Sequence, residues 1–305
     1  MRYLVTGAAG FVGSHLAEAL EAAGHDVVWL DCVTDYYDPA LKEENARGRE
    51  LLRLDLAGEE LDFSGFDGVF HLAGQPGVRS FGDVFPLYLR RNLLASQRVF
   101  EAAAAAGVRV VFASSSSIYG DAEAYPTPEL AEPRPLSPYG ITKLGCEHLA
   151  RAYGRDFGLE AVVLRYFTVY GPRQRPDMFF ARVVSALAEG GTIELYGGGA
   201  QSRSFTYVAD VVEANVAAME RGAAGALYNV GGGEEASLQE AIATLEQVAG
   251  RTLDVRHGPA AAGDIPRTKA DTSRIRAELG WEPRTSLEDG LRAHWDWARA
   301  RVAAR

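Results

Sequence analysis

The run Thr6-Gly7-Ala8-Ala9-Gly10-Phe11-Val12-Gly13 constrains this chain more than any other stretch. It follows an apolar strand candidate, Arg2–Thr6, and opens a helical pattern from Phe11 to Ala23 that stops at Gly24. At such a junction one glycine permits the tight turn, one lets the backbone approach a pyrophosphate, and one lets the helix pack on the strand. The helix N-terminus then offers free N–H groups and a partial positive charge to an anion. Further strand candidates are Asp26–Leu30, Leu51–Leu54, Val69–Ala73, Arg109–Ala113 and Glu160–Arg165. They are short β-branched or apolar runs bounded by Gly, Asp or Ser. A second helical pattern, Leu87–Ala106, ends at Gly107, where only glycine takes a left-handed backbone cheaply. The alternation predicts an α/β fold, a doubly wound parallel sheet with helices on both faces.

After Tyr166 the pattern loosens at Gly171-Pro172 and Gly197–Gly199, and Tyr228–Gly231 reads as one more strand. Ser237 with Glu240, and Ser286 with Asp289, have capping-box spacing ahead of two late helices. We therefore expect residues 1–165 to form a nucleotide-binding domain. Residues 166–305 should form a smaller α/β portion, mainly for substrate and interleaved with the first.

Composition narrows the function. Acidic residues outnumber basic ones, 41 to 31, for a net charge of -10, so the electrostatic footprint of a nucleic-acid binder is absent. No apolar run reaches ~18 residues, which argues against a membrane-spanning helix. The chain opens straight into a strand without a basic leader, and its two cysteines, Cys32 and Cys146, cannot build a disulfide framework. A cytoplasmic protein is expected. No metal-ligand cluster is expected. Lysine occurs only at Lys42, Lys143 and Lys269; the other 28 of the 31 basic residues are arginine.

Asp31 ends the second strand, 18 residues after Gly13. A carboxylate there accepts hydrogen bonds from a ribose hydroxyl and repels a 2′-phosphate, and no cation follows until Lys42. NAD is thus favoured over NADP. Asp55-Leu56, after the third strand, fits an adenine contact or a solvated turn equally well.

Tyr139 and Lys143 stand at i and i+4, on one helix face. Strand Arg109–Ala113 delivers Ser114–Ser117 at its C-terminal end, where open α/β sheets bind ligands. A phenol titrates near ~10, and a nearby lysine ammonium and nicotinamide cation favour its anion; a fall of ~3 units corresponds to ~4 kcal/mol. A serine hydroxyl can share and orient the substrate proton. In an arginine-rich chain, Lys143 suits a site that needs a compact point charge.

The order TGxxGxxG, Asp31, Asp55-Leu56, His71-Leu72-Ala73-Gly74-Gln75, SSSSIYG and YGITK resembles the extended short-chain dehydrogenase/reductases, which have a Rossmann domain. Arg165 through Met178 (RYFTVYGPRQRPDM), Gln201–Asp210, Gly263–Thr268 and Leu279-Gly280-Trp281 extend the resemblance to nucleotide-sugar epimerases over essentially the whole chain. It implies Ser115, four residues before Tyr119, as hydroxyl helper, Tyr139 as base and Lys143 as its partner on the nicotinamide ribose. Implied NAD contacts are Gly7, Gly10, Phe11, Val12, Gly13, Asp31, Asp55, Leu56, Leu72, Ala73, Gly74, Lys143 and Tyr166. Arg203 falls on the diphosphate-contacting arginine. Many relatives also carry Arg or Gln where this chain has Ala261, so Arg267 or Arg203 carries more of that contact.

Dehydratases and decarboxylases of this kind place an acid two residues before the S-x-x-x-Y-G tyrosine. Here that residue is Ser117, with Ser116 beside it, so a UDP-sugar 4-epimerase fits best. Asp35–Pro39 with Leu41-Lys42, and FTVYGP followed by RPDM, resemble UDP-glucuronate 4-epimerases more than UDP-glucose enzymes. Hydroxyls of Ser114, Ser116 and Thr168, with Arg175, are expected to hold a uronate carboxylate. UDP-glucose 4-epimerisation is the alternative; a dehydratase or decarboxylase and a non-catalytic NAD-binding sensor follow. The resemblance also implies a homodimer through helices Leu87–Ala106 and Tyr139–Phe157, with Ala95, Val99, Ala102, Leu149 and Tyr153 expected at the helix contacts.

Overall fold

The structure, a computed structural model, describes residues 1–77, 82–259 and 265–303. Six strands lead the chain: β1 (Arg2–Thr6), β2 (Asp26–Leu30), β3 (Leu51–Leu52), β4 (Gly68–His71), β5 (Arg109–Ser115) and β6 (Ala161–Tyr166). Short strands follow as β7 (Val169–Tyr170), β8 (Thr192–Tyr196), β9 (Ser202–Ser204) and β10 (Thr206–Tyr207). The last four are β11 (Leu227–Val230), β12 (Glu235–Ser237), β13 (Asp254–Gly258) and β14 (Arg267–Thr268). Seven of them form one sheet in the order β11-β6-β5-β4-β1-β2-β3, with every pair parallel. The order reverses between β1 and β4. Their C-terminal ends therefore flank the crevice in which open α/β sheets take ligands.

Helices cover both faces because successive strand residues point to opposite sides. Val5, Phe70 and Val111 face α1 (Phe11–Ala22), packing with Leu16 and Leu20 in one core. Leu4, Val69, Val110 and Phe112 face α4 (Ala95–Ala106) and α5 (Pro138–Phe157), against Val99, Phe100, Cys146 and Ala150. Between these helices in the chain lie α2 (Pro39–Asn45) and α3 (Phe85–Tyr88). The helix expected over Leu87–Ala106 is interrupted: Leu89–Leu94 winds as a π-turn between α3 and α4. Single π-turns inside helices cluster at functional sites, and this one turns Asn92 inward.

Downstream come α6 (Phe179–Glu189), α7 (Val208–Arg221), α8 (Leu238–Ala249), α9 (Ser273–Leu279) and α10 (Leu287–Ala303). A third core joins α6, α8 and α10 through Phe180, Val184, Leu245, Leu291 and Trp295. The chain after residue 165 also returns to the large sheet. β11 extends its edge, and Val208 and Val211 of α7 enter the α1 core. Ser237 and Glu240 make both arms of a capping box on α8, and the Ser286 hydroxyl accepts the Asp289 N–H at the start of α10. The Ala261 position and Gly263-Asp264 lie outside the described residues. Among the described residues, no helix is long and apolar enough to cross a membrane.

Two buried histidines tie stability to pH. His71 sits under the crevice between Thr6 Oγ1 (2.8 Å) and Ser96 Oγ (3.0 Å), and burial, with the Lys143 charge, pushes its imidazole down to about 3. Among the described residues His294, in α10, has no hydrogen-bond partner on either ring nitrogen, and burial, with His15, also lowers it to about 3. An unfolded histidine titrates near ~6.5. Between these values the unfolded chain binds more protons than the folded one, so stability present at neutral pH is lost as pH falls from ~6.5 toward 3. Replacing His294→Phe should flatten this acid-side loss by up to ~1.4 kcal/mol per pH unit. Denaturant unfolding at pH 6, 5 and 4 checks it, and an unchanged slope would contradict the assignment.

Candidate active site

The crevice between β1 and β4 opens into a cleft that runs from Asp31 and Lys42 to Tyr139 and Tyr166. Its floor is the turn from Thr6 to Gly13, and the glycines there are steric necessities. Gly7 has φ of +72°, and a side-chain carbon on it would stand 2.8 Å from the Ala73 nitrogen. A carbon on Gly13 would stand 2.1 Å from the Gly7 carbonyl oxygen. Among the described residues no side chain caps α1 after Gly10, so its first N–H groups are open to a ligand. This glycine cradle fits a dinucleotide pyrophosphate, and the NAD contacts implied by the resemblance, from Gly7 to Tyr166, all line this one cleft.

At the far end of the cradle Asp31 is buried, and its Oδ1 accepts the Val33 N–H at 2.8 Å. Lys42, which the spacing places too far along to matter, is carried back by α2. Its Nζ stands 3.7 Å from Asp31 Oδ1 and 3.1 Å from Thr34 Oγ1. Asp55 accepts the Ala57 N–H and pairs with Arg90 at 2.6 Å, while Leu56 is buried in the wall. Tyr36 and Tyr37 complete this end. The sequence signals for Lys42 were its identity, one of three lysines in an arginine-rich chain, and its place after Asp35–Pro39 in the resemblance to UDP-glucuronate 4-epimerases.

The other end is built on β5 and α5. Ser137 Oγ caps α5 by accepting the Gly140 N–H, and Pro138 opens its first turn. A side chain on Gly140 would place a carbon 2.5 Å from the Ser117 carbonyl oxygen, so glycine alone lets α5 press against the end of β5. That contact brings Tyr139 and Lys143 into the cleft wall. Lys143 is buried; its Nζ donates to the Ala113 carbonyl at 2.7 Å and lies 4.8 Å from the Phe112 ring centroid and 5.9 Å from that of Tyr139. Tyr166 lines the same wall and donates to Asn215 at 2.7 Å. Ser115 Oγ accepts the Ser117 N–H, which closes a 3₁₀ turn just past the strand.

Asn92, absent from the sequence-level reading, locks this end. From the π-turn its Oδ1 accepts the Gln75 N–H at 2.6 Å, and its Nδ2 donates to the Gln75 carbonyl and to Thr142 Oγ1. One amide thus ties the loop after β4 to α5. Arg91, next in the chain, lines the cleft and holds Gln75 Oε1 at 2.8 Å.

The residues expected to hold a sugar are spread over two places. Arg175 lines the cleft, gripping Asp177 at 3.0 and 3.1 Å near the Tyr36 ring. Ser114 also lines it, but its hydroxyl donates to Glu147 at 2.5 Å and is not free to donate to a carboxylate. Ser116 lies in the 3₁₀ turn and Thr168 between β6 and β7, both half-buried and outside that lining. Arg203 and Arg267 lie on the paired strands β9 and β14, where Arg267 is opposite Ser202 and Arg203 opposite Thr268, outside the lining of the cofactor cleft. Glu235 of β12 grips Arg267 at 2.5 and 2.8 Å and Lys269 at 3.0 Å, and the Arg267 guanidinium draws its carboxyl down to about 2. Among the described residues, no group of three or more His, Cys, Asp or Glu is placed to hold a metal ion.

Known proteins align with this arrangement along its whole length. The chain is 40% identical over 309 residues to an uncharacterised UDP-glucose epimerase of Bacillus subtilis, covering 95% of this chain and 96% of that one. It is 32% identical to a UDP-glucuronate 4-epimerase of Thermodesulfobacterium geofontis, covering 98% and 97%. It superposes with a TM-score of 0.94, at 38% identity, on the UDP-glucuronic acid 4-epimerase of Bacillus cereus solved with UDP-glucuronic acid and NAD, covering 98% and 99% of the two chains. Residues 3–231, which carry both the glycine cradle and the Tyr139–Lys143 pair, match one family model. The chain belongs to the NAD dependent epimerase/dehydratase family.

Proposed function

We propose that the enzyme inverts C4 of a UDP-sugar, with UDP-glucuronate, converted to UDP-galacturonate, as the favoured substrate. The carrying observation is that Tyr139 and Lys143 share one cleft with the glycine cradle, while among the described residues the acids that line it are Asp31 and Asp55, at the nucleotide end. Acid-dependent elimination has no carboxyl group among the described residues lining the reacting end. NAD, when bound, supplies a reversible hydride acceptor. Tyr139 takes the proton of the C4 hydroxyl and later returns it, with the Lys143 charge beside its ring. Ser115 orients that hydroxyl. The sugar turns over as a 4-keto species, and the same groups serve its second face.

Uronate selection rests on Arg175, a planar donor fork in the cleft wall. Ser116 and Thr168 add hydroxyls, whereas Ser114 is removed from that set because its proton is committed. Arg203 and Arg267 serve the UDP diphosphate, within a C-terminal portion of residues 166–305 that mainly binds the sugar nucleotide. The name of the Bacillus subtilis relative favours UDP-glucose as second substrate. The free thiols Cys32 and Cys146 suit a reducing cytoplasm.

We place a homodimer on the helices beside the cleft, with one face corrected. Ala95 and Val99 are buried against the sheet, so they cannot meet a partner. The available apolar face is Leu87, Leu94 and Ile141, which are 38, 42 and 49% exposed. Two-fold closure of that patch joins four helices.

Tyr139→Phe keeps the ring and loses the phenol, so turnover should fall by ~10²–10⁴ with ligand binding retained; near-normal product by NMR would overturn the mechanism. Arg175→Ala should cost roughly 10–100-fold in kcat/KM with UDP-glucuronate and little with UDP-glucose, one charge-assisted bond being lost. Equal losses on both sugars would return Arg175 to a structural role. Light scattering at micromolar protein should give twice the chain mass, and a monomer there removes the dimer.

A further inference from the structure

We propose that Glu147, held by Arg165, sets the polarity of Ser114, so that Ser114 meets its ligand as a hydrogen-bond acceptor and recognises an N–H or O–H donor, not an anion. Glu147 follows Lys143 by four residues on α5, so it lies one turn behind the reacting face. It is 8% exposed and Arg165 4%. Arg165 grips it twice, with Nε 3.0 Å from Oε1 and Nη2 2.7 Å from Oε2, and spends Nη1 on the Tyr119 hydroxyl and the Glu129 carbonyl. Tyr119 in turn donates to Asn229 Oδ1 at 2.7 Å. Every partner Glu147 has is a donor. Its carboxylate is an acceptor on both oxygens, and so the 2.5 Å contact to Ser114 uses the serine proton.

A hydroxyl has one proton. With it directed at Glu147, Ser114 shows the cleft only lone pairs, among Ala113, Tyr139, Lys143 and Tyr166. A carboxylate placed there would face oxygen against oxygen; an amide N–H or a sugar hydroxyl would be received. The two sources of such a donor are the carboxamide of the nicotinamide and a hydroxyl of the sugar, and the experiment separates them. The sugar arm rests on the proposed epimerase reading, whereas the cofactor arm does not.

Glu147→Gln reverses the polarity without changing the shape. Arg165 offers only donors, and the Oε2 position can take two of them, Nη2 at 2.7 Å and Nε at 3.3 Å, so the amide oxygen settles there and the amide N–H faces Ser114, turning the serine proton toward the cleft. Ser114→Ala removes the acceptor altogether. In the holoenzyme each variant should raise KM for UDP-glucuronate and UDP-glucose alike, or speed NAD loss on gel filtration, by about 3- to 10-fold, the worth of one neutral hydrogen bond. A KM change names the sugar hydroxyl as the donor, and NAD loss names the carboxamide. The double variant should be no worse than Ser114→Ala, since Glu147 then has no serine to orient. The proposal is overturned if Ser114→Ala changes neither quantity, if its loss is confined to UDP-glucuronate, or if the two losses add. Should Glu147→Gln fail to fold, Ser114→Ala alone still decides between the first two of these and the expected result. Wild-type enzyme inactive on both sugars would overturn the epimerase reading instead, and leave the NAD measurement in force.

Discussion

The approach of Gly13 to the carbonyl of Gly7 is the contact on which the remaining architecture turns. With a side chain at either position, α1 would stand off from β1, and the loop after β4 would lose its seat against Gly7. That seat brings residues 72–74 beside the phosphate cradle, and Asn92 then fastens the next residue of the same loop to α5. A single steric condition at residue 13 is thus transmitted through the loop after β4 to the helix that carries Tyr139 and Lys143. The nucleotide end and the reacting end are one construction.

Charge is distributed with the same economy. The chain is acidic overall, yet the cleft receives two of its three lysines, one at each end. Each is anchored by oxygen: Lys42 by Thr34 and Asp31, Lys143 by the carbonyl of Ala113. The third, Lys269, shares Glu235 with Arg267. Glu235 keeps Arg267 and Lys269 together against their mutual repulsion.

Buried polar groups do comparable work behind the reacting end. A salt bridge such as Arg165–Glu147 seldom adds net stability over an apolar pair of similar size, because both charges lose their hydration. What this one does is restrict geometry. It fixes the direction of the Ser114 proton and, through Tyr119, that of the hydroxyl proton given to Asn229. His71 follows the same logic in neutral form, held between two hydroxyls beneath the cleft.

The amino-acid sequence by itself determined the parallel sheet, the cofactor turn and the Tyr139–Lys143 pair, because these depend on local rules. Alternating apolar runs specify strands, glycine spacing specifies the turn, and an i, i+4 step puts two side chains on one helical face whatever surrounds it. The six N-terminal strands were legible to within two residues on that basis, and the helix Leu87–Ala106 was legible except for its π-turn. The tertiary structure decided the rest. Lys42 is eleven residues from Asp31 in the chain and 3.7 Å from it in space only because α2 folds back. Asn92 acquires its role from a local rewinding that tertiary contacts with Gln75 and Thr142 hold in place. Ser114 reads as a hydroxyl free to hold a carboxylate in a run of four serines, and no pattern in the sequence singles out Glu147. Their pairing depends on how closely α5 lies on β5, which is set by Gly140 against Ser117 and by no periodicity in the residues themselves. The direction of one proton belongs to packing.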